Sequence, residues 1–121
     1  MTVLDASALL VYVQGETGAD VVEEALTSGA VCGAANWSEV AQKVIAAGGE
    51  WSLVSALLLS FPLDVVPVEV ADAEWAARRW VAKEGLSLGD RLCLALGARL
   101  GEVVLTADRL WGSADGVRQI R

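Results

Sequence analysis

No histidine occurs among the 121 residues. That absence excludes histidine-assisted nucleophilic triads and histidine-ligated zinc. Neither a GxGxxG nor a GxxxxGK(S/T) loop is present, so dinucleotide and P-loop nucleotide binding have no support. No repeat, linker or low-complexity tract divides the sequence. The longest apolar run, residues 53–61, is broken by serines and stopped by Pro62, too short for a bilayer span. The start of the chain lacks the basic residues and cleavage site of a secretory signal. Cysteine is scarce: Cys32 and Cys93 lie in apolar surroundings and read as core thiols of a reducing compartment rather than as a disulfide. A cytoplasmic protein that does not enter a membrane is expected.

What is present is mostly apolar. Hydrophobic residues make up 55% of the chain, which excludes disorder, and the length predicts one domain, 1–121, with a real core. The net charge of −7 opposes binding to a polyanion. Its distribution does not. Eleven of the sixteen acids precede Arg78, with Lys43 the one base among them, whereas eight of the nine bases lie from Arg78 onward beside five acids. The bases Arg78, Arg79, Lys83, Arg91, Arg99 and Arg109 form either ordinary solvated helix faces or a surface for a polyanion.

Read in order, residues 2–5 form a short buried strand ending on a carboxylate, and residues 6–13 an apolar helix stopped by Gly15. Residues 17–28 read as a helix with Ala19, Val22, Ala25 and Leu26 inward, and residues 30–32 as a second strand. Asn36 is expected to cap a helix running to Ala47, with Trp37, Val40, Ala41, Val44 and Ile45 as its stripe. Val54, Leu57, Leu58 and Phe61 mark another helix over residues 50–60, which Pro62 ends. Residues 63–68 give a third strand and residues 72–84 a helix stopped by Gly85. Ser87 with Asp90 makes a capping box before a helix burying Leu92, Ala95, Leu96 and Leu100, closed by Gly101. Residues 103–105 form a strand, residues 112–116 a loop and residues 117–120 a last edge strand. This alternation predicts a three-layer α/β/α sandwich around a mostly parallel sheet.

Carboxylates remain to carry any chemistry. Asp5 and Asp108 follow strands, and Glu39 and Asp90 stand in first helical turns. Each has a local alternative. Asp5 can cap the helix after it, Asn36 with Glu39 and Ser87 with Asp90 can form capping boxes, and Asp108 can cap residues 109–111. Yet strand ends and following helix starts share one edge of a parallel sheet, where α/β proteins place their sites. Two carboxylates ~4 Å apart repel by roughly 4 kcal/mol at an effective dielectric near 20, so acids gathered there need a cation. Oxygen ligands select hard Mg²⁺ or Mn²⁺, one ion or two, which can activate water against a phosphodiester.

The segments VLDASALL (residues 3–10), NWSEV (36–40), LSLGDRLCLALG (86–97) and VLTADRLW (104–111) resemble PIN-domain ribonucleases, more narrowly VapC-type toxins of toxin–antitoxin pairs. The resemblance spans essentially the whole chain. It implies a PIN-like fold, with Asp5, Glu39, Asp90 and Asp108 as the catalytic, metal-holding acids and Ser7 and Thr106 as polar helpers. It also implies Mg²⁺-dependent cleavage of RNA, a homodimer and inhibition by a cognate antitoxin. Arg91 and Arg109 are then the expected RNA contacts, and the outer faces of residues 8–13 and 54–61 the surfaces for a second copy or an inhibitor.

Other readings compete. A haloacid-dehalogenase-type phosphatase needs a second acid where Ser7 stands. A phosphorelay receiver needs paired acids at the first strand and a lysine late in the chain, and no lysine follows Lys83. A non-catalytic PIN-like binding module stays open, since tryptophans anchor interfaces, although at helical spacing they more often fill cores.

Overall fold

A computed structural model describes residues 1–114 and 116–121. The elements run β1 (Thr2–Leu4), α1 (Ala6–Gln14), α2 (Ala19–Ser28), β2 (Ala30–Gly33), α3 (Ala34–Ala46), α4 (Trp51–Leu59), β3 (Leu63–Val66), α5 (Val70–Arg78), α6 (Leu88–Leu100), β4 (Val104–Thr106), a 3-10 turn (Arg109–Trp111) and β5 (Val117–Gln119). The strands form one sheet in the order β3-β2-β1-β4-β5, parallel at every pairing, with Val3 in register with both Val31 and Val104.

Side chains alternate across the strands, and so the sheet feeds two cores. Leu4, Ala30, Cys32, Leu63 and Leu105 pack against buried residues of α1, α2, α3 and α4. Val3, Val31, Val104 and Val117 pack with Cys93, Leu94 and Leu96 of α6 and with Trp111. This is the expected α/β/α sandwich. From β1 the chain steps outward to β2 and β3, then crosses back to place β4 on the other side of β1. The β1/β4 seam is therefore the point where strand order reverses, which in parallel sheets opens a crevice at the carboxyl ends.

Four local expectations are corrected. Asn36 does not cap α3. The helix begins at Ala34 with Gly33 as its N-cap, and the buried Asn36 side chain donates through Nδ2 to the Gly89 carbonyl at 3.1 Å. Because the helix starts two residues earlier, Asn36 lies inside its first turn and no Asn36–Glu39 capping box forms. The helix expected over 72–84 stops at Arg78, because Arg79 folds the chain back onto Glu84 with bonds of 2.7 and 3.0 Å, while Lys83 and Gly85 adopt φ of 65° and 89°. In α6, Leu92 is half-buried and Leu100 exposed; Cys93, Leu94, Ala95, Leu96 and Gly97 are the buried set. Gly97 decides that rotation, since a Cβ there would overlap Val104 Cγ2. Finally, of the outer face expected over residues 8–13, residues 8–11 are buried and only Tyr12 and Val13 are half-buried, whereas Leu53, Leu57 and Leu59 of α4 are exposed.

Of the loop expected over 112–116, Asp115 lies outside the described residues. Among the described residues no helix is long and apolar enough to cross a membrane.

Candidate active site

Asp5 directly follows β1 and turns the chain into α1. Its extended backbone (φ −80°, ψ 174°) makes it the N-cap, and Oδ1 accepts from Ala8 N at 2.8 Å. The local expectation of a cap is thus met. The side chain does more than cap, however. Ser7 Oγ lies 2.8 and 2.9 Å from its two oxygens, and Thr106 Oγ1, at the end of β4 across the seam, donates to Oδ2 at 2.7 Å. Each hydroxyl is itself oriented. Ser7 Oγ accepts from Ala107 N at 2.9 Å and Thr106 Oγ1 from Asp108 N at 3.0 Å, so their own hydrogens face the Asp5 carboxylate. The network ties β1, α1 and the exit of β4 around one buried charge.

That charge is held against electrostatic cost. Burial pushes the Asp5 carboxyl up to about 6, opposed by the bonds from Ala8, Thr106 and Ser7 and reinforced by the Asp90 charge. Asp5 takes part in no ion pair among the described residues. The buried thiol of Cys93 senses the same group of acids. Desolvation raises it well above its ordinary range, followed by the charges of Asp5, Cys32, Asp90 and Glu39. Cys32 and Cys93 are free thiols, and burial with the Asp5 charge pushes Cys32 up to about 12, so neither is a nucleophile at neutral pH.

Each of the other acids also has a local partner. Asp90 completes its capping box: Asp90 N donates to Ser87 Oγ at 3.1 Å and Ser87 N to Asp90 Oδ2 at 2.9 Å. The Asn36–Gly89 bond brings the first turns of α3 and α6 together, and Glu39 Oε1 lies 3.6 Å from where a Gly89 Cβ would stand. Glu39 pairs with Lys43 at 3.5 Å. Asp108 caps the 3-10 turn through Leu110 N at 2.9 Å. Its link to Asp5 runs through the Thr106 hydroxyl, and it borders a cleft of about 370 Å³ with Ser7, Lys43 and Arg109.

Among the described residues no three Asp, Glu or Cys side chains stand grouped to hold a metal ion. Mg²⁺ is commonly held by one or two carboxylates and several waters, and Asp5 is a buried carboxylate that feels the Asp90 charge and has no cationic partner among the described residues. The oxygen-only set suits a hard cation.

The basic segment divides. Arg78, Arg79 and Arg99 are engaged by Glu74, Glu84 and the Asp72–Glu69 pair. Arg91, half-buried, donates to the Ala76 carbonyl at 2.7 Å and secures the end of α5, while Arg109 is exposed. Two contributors escaped the sequence reading. Lys43 lies four residues from Glu39, a spacing that signals a helical ion pair. Gln119 Nε2 donates to the carbonyls of Asp108 and Gly112 at 2.9 and 2.8 Å and so fixes the turn carrying Asp108; this link crosses from β5 and has no local signature.

The PIN-domain family model matches residues 2–116. A toxin–antitoxin complex from Klebsiella pneumoniae contains a chain of similar structure, at TM-score 0.79 and 20% identity, covering 100% of this chain and 98% of that one. VapC20 of Mycobacterium tuberculosis, a sarcin–ricin loop cleaving toxin, is similar at TM-score 0.75 and 15% identity, covering 94% and 95%. No curated protein sequence matches.

Proposed function

The chain belongs to the PIN-domain family, and on that premise we propose that it is a metal-dependent endoribonuclease, the toxin of a VapC-type toxin–antitoxin pair. The observation that carries this reading is the Asp5 carboxylate. It is buried at the strand-order reversal, oriented by two hydroxyls, repelled by Asp90 and paired with no side-chain cation among the described residues.

In this reading Asp5 and Asp90 hold Mg²⁺ or Mn²⁺, with Glu39 beside them and Asp108 completing the acid set beyond Thr106. A bound ion supplies an activated water and offsets charge on the phosphodiester. The chain supplies orientation. Ser7 and Thr106 direct their protons at Asp5 and keep it from turning, and Ala8 N fixes its other oxygen. Leu110 N and Gln119 hold Asp108 at the rim of the cleft, where the exposed Arg109 meets the RNA backbone. The similarity to a toxin–antitoxin complex supports a cognate antitoxin, and the exposed leucines of α4 support a second chain, either inhibitor or homodimer mate.

Purified protein is expected to cleave RNA only with Mg²⁺ or Mn²⁺ and to stop with chelator. Thr106→Val and Ser7→Ala should lower the rate by about 10–100-fold, as for groups that orient metal ligands, and Asp5→Asn or Asp90→Asn by more. Undiminished cleavage in both aspartate variants overturns the assignment. The competing binding-module reading draws on the caps that occupy Asp90 and Asp108; a wild-type protein that binds a partner tightly and cleaves no RNA favours it.

A further inference from the structure

Four of the five tryptophans are accounted for by packing. Trp37 and Trp51 meet edge to face with centroids 5.0 Å apart, Trp75 packs on the α6 core and Trp111 is buried in it. Trp80 is not; 60% of it is exposed. It sits on the loop of residues 79–87, which leaves α5, turns through Val81 O–Glu84 N and delivers Ser87 and Asp90 to the start of α6. The same loop abuts the other half of the site. A Cβ on Gly85 would stand 3.1 Å from Leu110 Cδ2, and Leu110 N is the donor to Asp108. Val81, Leu88 and Leu110 are each more than half exposed, so exposed aromatic and apolar side chains stand on the loop that leads into Ser87 and Asp90 and on the turn that Asp108 caps.

The charge around this patch selects its occupant. Lys83, held in the left-handed region, and Arg109 take part in no ion pair among the described residues, while the neighbouring Arg78 and Arg79 are paired. A flat aromatic surface flanked by available cations is the arrangement that holds single-stranded nucleic acid, with bases stacked and phosphates neutralised.

We infer that Trp80 is a nucleobase-stacking platform at the mouth of the acid site, with Lys83 and Arg109 contacting the flanking phosphates of a single-stranded RNA. The inference rests on the ribonuclease reading and names how the substrate is held there. Because every base has a π-face, the platform favours unpaired RNA without selecting its sequence.

The test uses the full chain with labelled ten-nucleotide oligouridylate and oligoadenylate, in chelator so that the RNA stays intact. Trp80→Ala should raise Kd by about 5–150-fold, the range set by loss of one stacked base, for both oligomers, with circular dichroism unchanged. Trp80→Phe should recover most of the affinity. The slope of log Kd against log salt should be unaltered in Trp80→Ala and shallower by about 0.7 in Lys83→Ala. Trp80→Ala binding like wild type, in a protein that cleaves RNA with Mn²⁺, overturns the platform and leaves the ribonuclease standing. A wild type that neither binds nor cleaves RNA removes both. Unchanged RNA binding with a Trp80→Ala shift from dimer to monomer in sedimentation makes the patch an interface between copies and overturns the inference.

Discussion

Asp5→Asn should make the metal-free protein more stable near neutral pH while destroying its proposed activity. The folded carboxyl titrates near 6 against an ordinary value of 3.8, chiefly because burial disfavours its charge. For an acid raised in this way, the folded state binds the proton more tightly than the unfolded chain. Wild-type stability is therefore full below pH 4 with respect to this group, falls as pH rises from about 4 through 6, and stays reduced above it. A shift of roughly two units corresponds to about 3 kcal/mol. Asparagine keeps an acceptor for Ala8 N and carries no charge, so urea unfolding at pH 8 in chelator should show a gain of about 1–3 kcal/mol, the lower end reflecting imperfect pairing of the new amide with Thr106. The difference between variant and wild type should shrink toward zero at pH 4. Addition of Mg²⁺ or Mn²⁺ should raise the unfolding midpoint of the wild type alone, since a ligand stabilises only the state that binds it. A variant less stable than wild type at every pH, or a difference that does not change between pH 4 and 7, refutes the reasoning.

Four further outcomes follow from separate positions. Gly97→Ala should lower stability by about 1–3 kcal/mol in urea unfolding, because a methyl at that position overlaps Val104 and α6 must move off β4. Arg99→Ala should weaken the protein most near neutral pH and progressively less in acid. Burial opposes the Asp72 charge, but bonds and charge from Arg99, with Glu69 N, outweigh it and hold that carboxyl below its usual range. Its stabilising share is present above the ordinary carboxylate range and lost as pH falls through the folded value, so the variant should lack part of the wild type's acid unfolding transition. Arg109→Ala should flatten the salt dependence of RNA binding by about 0.7 in slope, whereas Arg91→Ala, which loses the bond to Ala76 O, should lower the urea midpoint and leave the slope as it is.

Some of this protein was legible in residue order alone. Alternating strand and helix patterns implied a parallel sandwich, and the glycine after α6 and the Ser87–Asp90 box marked that helix correctly, because caps and turn residues act within a few positions of themselves. The four acids could be picked out for a related reason: in a parallel sheet, strand ends and helix starts share one edge by topology. Three dimensions decided the rest. Asn36 reads as a cap from its neighbours and becomes a strut between α3 and α6, since the helix already begins at Ala34 and the packing of α6 brings Gly89 O to its amide nitrogen. Arg78, Arg79 and Arg99 read as a basic surface and are consumed by acids from other turns and another helix. Gln119 carries no local signal at all, yet it holds the Asp108 turn from the neighbouring strand. Spacing along a chain fixes which element a side chain rides on, but the direction it faces and the partner it meets depend on how elements pack, and packing is set by contacts distant in sequence.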